Sequence, residues 1–189
     1  YELSDEEKIQ CANEIKADGK EAFTKKFFAK AAEAYGDALD YLEDIESEEA
    51  RLLTGSLSLN QCIAQVKAGD NTGAILSASK VLEAPETTSG YHSKAMYWRA
   101  MARFQMSDFK ACKSECLAAT KIDAKNKAIR KLYKKATQAI KDAKAKEKAT
   151  YGGLFDKVSM YDDQPDVEIE EEIVHPDNLP RCFFDMTIG

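Results

Sequence analysis

Cys112 and Cys116 are the first residues whose types and spacing could do chemistry. Four residues apart, two thiols share one face of a helix and make half of a tetrahedral metal site. The other half is missing, because the 2 histidines, His92 and His175, are remote in sequence and lie beside turn signals. The 5 cysteines (Cys11, Cys62, Cys112, Cys116 and Cys182) are odd in number and lack disulfide-framework spacing. The expectation is small buried thiols in a reducing, cytoplasmic compartment, with no metal and no cofactor.

Charge is the second resource. Residues 1–50 carry 6 basic and 15 acidic residues, Lys110–Lys148 carries 13 and 4, and residues 151–189 carry 2 and 10. The net charge of -6 therefore hides a nearly neutral body with an acidic final stretch. General nucleic-acid binding would need a basic face throughout, and no aromatic–basic interleaving exists. Lys131, Lys134, Lys135, Lys141 and Lys144, with Leu132, Tyr133 and Ile140, form a basic amphipathic pattern. Such a helix can bind calmodulin or anionic lipid, although bulky apolar anchors stop at Ile140. No run of about 18 apolar residues exists, so no membrane span is expected. The chain begins at Tyr1 without a basic-then-apolar leader, which suggests a piece of a longer protein and no secretion signal.

The elements that would position these residues are helices. Ser4 and Glu7 make a capping box, followed by Ile9, Ala12, Ile15, Gly19 and Phe23 at helical spacing. After a bend at Phe27–Phe28, a second helix carries Ala31, Ala34, Tyr35, Ala38, Leu39 and Leu42. A third runs from about Glu49 to Lys67, and Gly69-Asp70-Asn71 ends it and starts the fourth. Pro85 to Gly90 reads as a loop, Tyr91 to Gln105 as the fifth helix, and Asp108 to about Thr120 as the sixth. A seventh starts near Ala124, turns polar all round from Lys141 to Lys148, and is expected to break at Gly152-Gly153.

These helices repeat. Gly19 with Phe23, Cys62 with Val66 and Ala100 with Phe104 share one offset, and each is followed by a second small residue: Ala31, Ala74 and Cys112. Tyr35 and Ala38, Ala78 and Val81, and Cys116 and Ala119 continue the second helices. The repeat starts lie 43 and 38 residues apart, against about 34 in ordinary tetratricopeptide repeats. The extra length is expected in an extended second helix and in the Pro85–Gly90 loop. The fold class is therefore all-α: three tetratricopeptide repeats plus a capping seventh helix.

Specific segments resemble the repeat domain of large immunophilins, the FK506-binding-type peptidyl-prolyl isomerases that dock on heat-shock chaperones. They are Ser4-Asp5-Glu6-Glu7-Lys8, Lys16-Ala17-Asp18-Gly19, Leu59-Asn60, Lys94-Ala95-Met96-Tyr97 and Lys146 to Tyr151 with Leu154-Phe155. Pro180 to Gly189 resembles the first strand of a cyclophilin, as in a dual-family immunophilin. The resemblance implies a repeat domain over 1–155, an acidic linker over 156–179 and the start of a cyclophilin-like domain at 180–189. No isomerase residue of either family is present, so this stretch is expected not to be an enzyme although its parent is.

The resemblance also implies a groove that clamps the carboxylates of an acidic chaperone C-terminus (the 90 or 70 kDa class) with two lysines, two asparagines and an arginine. Lys16, Asn60 and Lys94 match that clamp. Lys20 stands where an asparagine is expected, and Trp98 where the arginine is expected. Arg99 is next in sequence but about 100° away on a helix. Three positive charges remain, but the planar arginine fork is lost. Weakened or shifted peptide binding is the expectation, with an apolar side chain packed on Trp98. The alternatives are a solvated Lys16–Lys20 face, an internally bonded Asn60 and a core Trp98, in which case the domain is a spacer between isomerase domains. Glu170-Glu171-Glu172 looks like a clamp ligand that could occupy the groove from within.

Overall fold

The structure, a computed structural model, describes residues 3–83 and 89–155. They form seven helices: α1 (Asp5–Thr24), α2 (Phe28–Asp40), α3 (Glu48–Ala68), α4 (Asn71–Glu83), α5 (Ser89–Gln105), α6 (Phe109–Ile122) and α7 (Lys127–Phe155). Consecutive helices from α1 to α6 pack against each other. The contact pattern separates residues 1–149 from a unit that starts at Thr150, of which only the end of α7 is described. The linker (156–179) and the cyclophilin-like segment (180–189) lie outside the described residues. Among the described residues no helix is long and apolar enough to cross a membrane.

Each of the three hairpins turns in the same way. One residue adopts a left-handed backbone: Lys26 (φ 65°), Gly69 (φ 89°) and Ser107 (φ 64°). The N–H of the next residue reaches back to close the first helix, Phe27 to Ala22 O, Asp70 to Gln65 O and Asp108 to Arg103 O, all at 2.9 Å. This hydrogen bond satisfies carbonyls that a helix end leaves orphaned. Aromatic pairs brace the first and third turns, Phe23 with Phe28 and Phe104 with Phe109, each with ring centroids 5.2 Å apart. Side chains cap the starts of several helices. Ser4 and Glu7 form the expected capping box, Ser47 caps α3 and Asp108 caps α6.

The small residues of the repeat are the points of closest approach. Gly19, Ala31, Cys62, Ala74, Ala100 and Cys112 are all buried. An added Cβ on Gly19 would lie 2.8 Å from Cε1 of the buried Tyr35 ring, so only glycine lets α2 come this near α1. The core is three clusters in succession: one among α1, α2, the link after α2 and one face of α3 from Ala50 to Ala64, a second among α3, α4 and α5, a third among α5, α6 and α7.

Four boundary expectations are corrected. The second helix is not extended: α2 ends at Asp40, and the extra residues form the tight link to α3. Four-residue turns there (Leu42 N–H to Leu39 O, 2.9 Å; Ile45 N–H to Leu42 O, 3.2 Å) drop Leu42 and Ile45 into the first cluster. Ser89 and Gly90, read in the sequence as the end of a Pro85–Gly90 loop, already belong to α5, and residues 84–88 lie outside the described residues. α7 starts at Lys127 rather than near Ala124, because Asn126 Oδ1 accepts from Ala128 N–H at 3.0 Å and sets the helix start. Gly152-Gly153 does not break α7, which runs on to Phe155. Glycine weakens a helix but, unlike proline, keeps its backbone donor.

Candidate functional site

α1, α3 and α5 approach one another in succession, whereas among the described residues α2, α4 and α6 do not. The array therefore curves, with α1, α3 and α5 on its inner side. From Leu52 to Ala68 on α3, and along all of α5, there is no acidic residue. Neither that part of α3 nor α5 therefore brings a carboxylate to Lys16, Lys20 or Lys94; the acidic residues nearest the two α1 lysines in sequence, Asp18 and Glu21 among them, are on α1 itself.

Lys16 is the best-defined of these groups. It is half-buried, and its Nζ donates to Ser56 Oγ on α3 at 2.8 Å. Ser56 in turn donates to Leu53 O at 3.1 Å, so the hydroxyl is held ready to accept. Burial pushes the Lys16 ammonium below its ordinary 10.5, because no carboxylate compensates the lost water. Lys20, one turn on, is exposed. Asn60 lies one turn after Ser56 and is half-buried. Among the described residues its amide has no hydrogen-bond partner, so it neither caps nor bridges internally. Lys94 on α5 is exposed.

Trp98 divides its surface between two roles. It is half-buried against the second cluster and stands edge-on to Tyr97, with centroids 5.3 Å apart. Lys67, near the end of α3, places its Nζ 5.9 Å from the Trp98 ring centre. Arg99 cannot replace the expected clamp arginine. It points into the body, where Nε donates to Glu115 of α6 and an NH1 donates to Ser79 Oγ of α4 at 2.8 Å. Arg103 NH1 lies 3.2 Å from the second Glu115 oxygen. The two arginines hold a carboxylate that is otherwise buried.

Two residues of this surface escaped the sequence reading. Ser56 and Lys67 continue the Asn60 face of α3 at helical spacing, four residues before and seven after. That spacing was the available signal.

The other candidate chemistries are placed elsewhere. Cys112 and Cys116 are buried and their thiols share a hydrogen bond, which lowers the Cys112 thiol and raises that of Cys116. Among the described residues no three metal-ligating side chains converge. On α7, Ile129 and Leu132 are spent on the third cluster, leaving an outward face of Lys127, Arg130, Lys131, Lys134 and Lys135 without large apolar residues. A cavity of about 430 Å³, with Leu42, Ile45, Leu52, Val81 and Tyr91 in its lining, opens where α2 and α4 end, and its lining includes none of Lys16, Lys20, Asn60, Lys94 and Trp98.

This architecture is that of tetratricopeptide-repeat domains. The C-terminal TPR-containing domain of a Plasmodium falciparum FK506-binding protein superposes with a TM-score of 0.67 at 28% identity, covering 77% of this chain and 98% of that one. The first TPR of Spaghetti (RPAP3), bound to the HSP90 peptide SRMEEVD, superposes with a TM-score of 0.57 at 19% identity, covering 69% and 94%. In sequence, the chain is similar to the bovine (Bos taurus) peptidyl-prolyl cis-trans isomerase FKBP4, 24% identical over 165 residues and 84% of this chain. It spans about a third of that relative, 35% of its length. No protein-family model matches the chain.

Proposed function

We propose that the inner face of α1, α3 and α5 is a peptide groove that docks the acidic C-terminus of a heat-shock chaperone of the 90 or 70 kDa class. The chain is then the interaction module of a longer FK506-binding-type isomerase and has no catalytic role itself. Residues 180–189 would begin a cyclophilin-like domain of that parent.

The observation that carries the reading is Lys16. A half-buried ammonium pinned to a serine, beside an unpartnered Asn60 amide, lacks only a carboxylate. A terminal aspartate brings two, and lysine and asparagine supply charge and neutral donors for them. Lys94 adds a cation from α5, and Lys20 one from α1. The FK506-binding relatives and the peptide-bound neighbour support the same reading.

The test is calorimetric titration of the chain with SRMEEVD, and with the same peptide amidated at its C-terminus. Saturable binding that amidation abolishes, and that Lys94→Ala weakens at least tenfold, is expected. Equal binding of the amidated form would sink the clamp. No binding of either form would leave the domain as a spacer between isomerase domains.

A further inference from the structure

The long first repeat leaves a hole beside α3. Its interval is 43 residues against about 34 in an ordinary repeat, and part of the excess is the link that turns Leu42 and Ile45 inward. The cavity of about 430 Å³ lies against that link. Leu42, Ile45, Leu52 and Val81 give it apolar walls. On α3 one face of its lining runs through Arg51, Gly55 and Ser58, and buried Gly55 leaves the middle of that face without a side chain.

Three hydroxyls line the same space, Thr54 and Ser58 from α3 and Tyr91 from α5. Among the described residues none of them has a hydrogen-bond partner. Ser58 matters most, because the residue is only 2% exposed. A hydroxyl buried that far is costly unless something bonds to it, and a helical serine or threonine commonly finds a carbonyl one turn back. Thr120 and Thr137 do so, at 2.7 and 2.9 Å. Ser58 does not.

We propose that this cavity is a binding site for a small, neutral, mostly apolar molecule that carries a hydroxyl or carbonyl group. Volume argues for a molecule with fused rings rather than a single ring: a cavity of about 150 Å³ accepts benzene, and this one is nearly three times larger. Apolar walls with a few convergent polar groups are the usual make-up of such sites. The edge decides the charge. Asp40 and Glu43 stand there with Arg51 and Lys80, all four exposed, so neither sign is favoured. The site is independent of the peptide groove.

The experiment offers the folded chain three probes of one shape at neutral pH: β-naphthol, naphthalene and naphthalene β-sulfonate. Amide chemical shifts of the isotope-labelled chain report where each one binds. β-Naphthol should saturate and move the amides around Thr54, Ser58 and Tyr91. Naphthalene, without the hydroxyl, should bind about fivefold more weakly, the worth of one hydrogen bond. The sulfonate should also bind more weakly than β-naphthol. Ser58→Ala should bring β-naphthol to within about twofold of naphthalene. Leu52→Trp, at a half-exposed position of the lining, should block β-naphthol while circular dichroism shows the helices intact. Naphthalene bound as well as β-naphthol would leave the hydroxyls idle and overturn the proposal. Tightest binding of the sulfonate would make this an anion site of Arg51 and Lys80 and overturn its neutrality. β-Naphthol that never saturates, that moves amides elsewhere, or that binds folded Leu52→Trp undiminished would overturn the site altogether.

Discussion

Arg99→Met separates the groove from the body beneath it. The substitution keeps the length and apolar stem of Arg99 but removes its donors to Glu115 and to Ser79 Oγ. Glu115, 4% exposed through its side chain, then keeps only Arg103 at 3.2 Å. Removing one partner of a buried pair costs about 3–5 kcal/mol. The Arg99 side chain is 21% exposed and Arg103 remains, so the lower end applies. A loss of about 3 kcal/mol is a large share of the roughly 5–15 kcal/mol that holds a domain together. It corresponds to a fall of about 6–12 °C in melting temperature. Urea unfolding followed by circular dichroism measures it, and peptide titration well below the transition provides the second readout. SRMEEVD affinity should change less than twofold, because Arg99 is turned toward Glu115 and Ser79 and away from the proposed groove. Arg99→Met combined with Glu115→Met should recover most of the stability, since no buried charge is then left stranded. If the single variant is as stable as its parent, or the double variant no better than the single, Glu115 is not held in the way described. If peptide affinity collapses while the fold survives, Arg99 belongs to the groove after all.

Three further outcomes are expected. Gly19→Ala gains about 1 kcal/mol of helix propensity but drives a methyl to 2.8 Å from the buried Tyr35 ring; overpacking of about 1–3 kcal/mol wins, and the urea midpoint falls. Lys16 carries a pKa below its ordinary 10.5 in the free chain, and a bound carboxylate raises it, so binding takes up a proton at alkaline pH. Calorimetric affinity should therefore be flat near neutrality and fall as pH rises through that lowered value, and Lys16→Gln should remove this alkaline limb. Burial pushes the Cys62 thiol up to about 12, so a thiol reagent at neutral pH, mapped by mass spectrometry, should modify half-buried Cys11 and spare Cys62 until the chain is unfolded.

The hairpin array was legible because its signals are local. Small residues at repeated offsets mark close approaches, and caps such as Ser4 and Asp108 mark helix starts. The repeat interval of 43 and then 38 residues reappears in the three left-handed turn residues, Lys26, Gly69 and Ser107. What the sequence concealed was tertiary. Leu42 continues the helical stripe of α2, yet it is buried from a tight turn, because stripe spacing reports burial and not backbone hydrogen bonding. Gly152-Gly153 read as a break because glycine is common at helix ends, but composition does not state whether a turn follows. At the site, Lys16, Asn60 and Lys94 could be matched by motif. Ser56 and Lys67 could not, since each acquires its meaning from a side chain on another helix, 40 residues away for Lys16–Ser56.

The three clusters follow one another along the chain and, among the described residues, share only α3 and α5. Such an array does not need to unfold all at once. Opening of α1 and α2 would sacrifice the first cluster while the third stayed packed, and it would carry Lys16 and Lys20 away from Lys94 and Trp98. A peptide that grips both α1 and α5 closes that option, because it tethers the first cluster to the second from outside the core. Ligand would then act as a fourth seam of the array. Its clearest trace would be slowed amide hydrogen exchange in α1 and α2, the helices farthest from the capping α7.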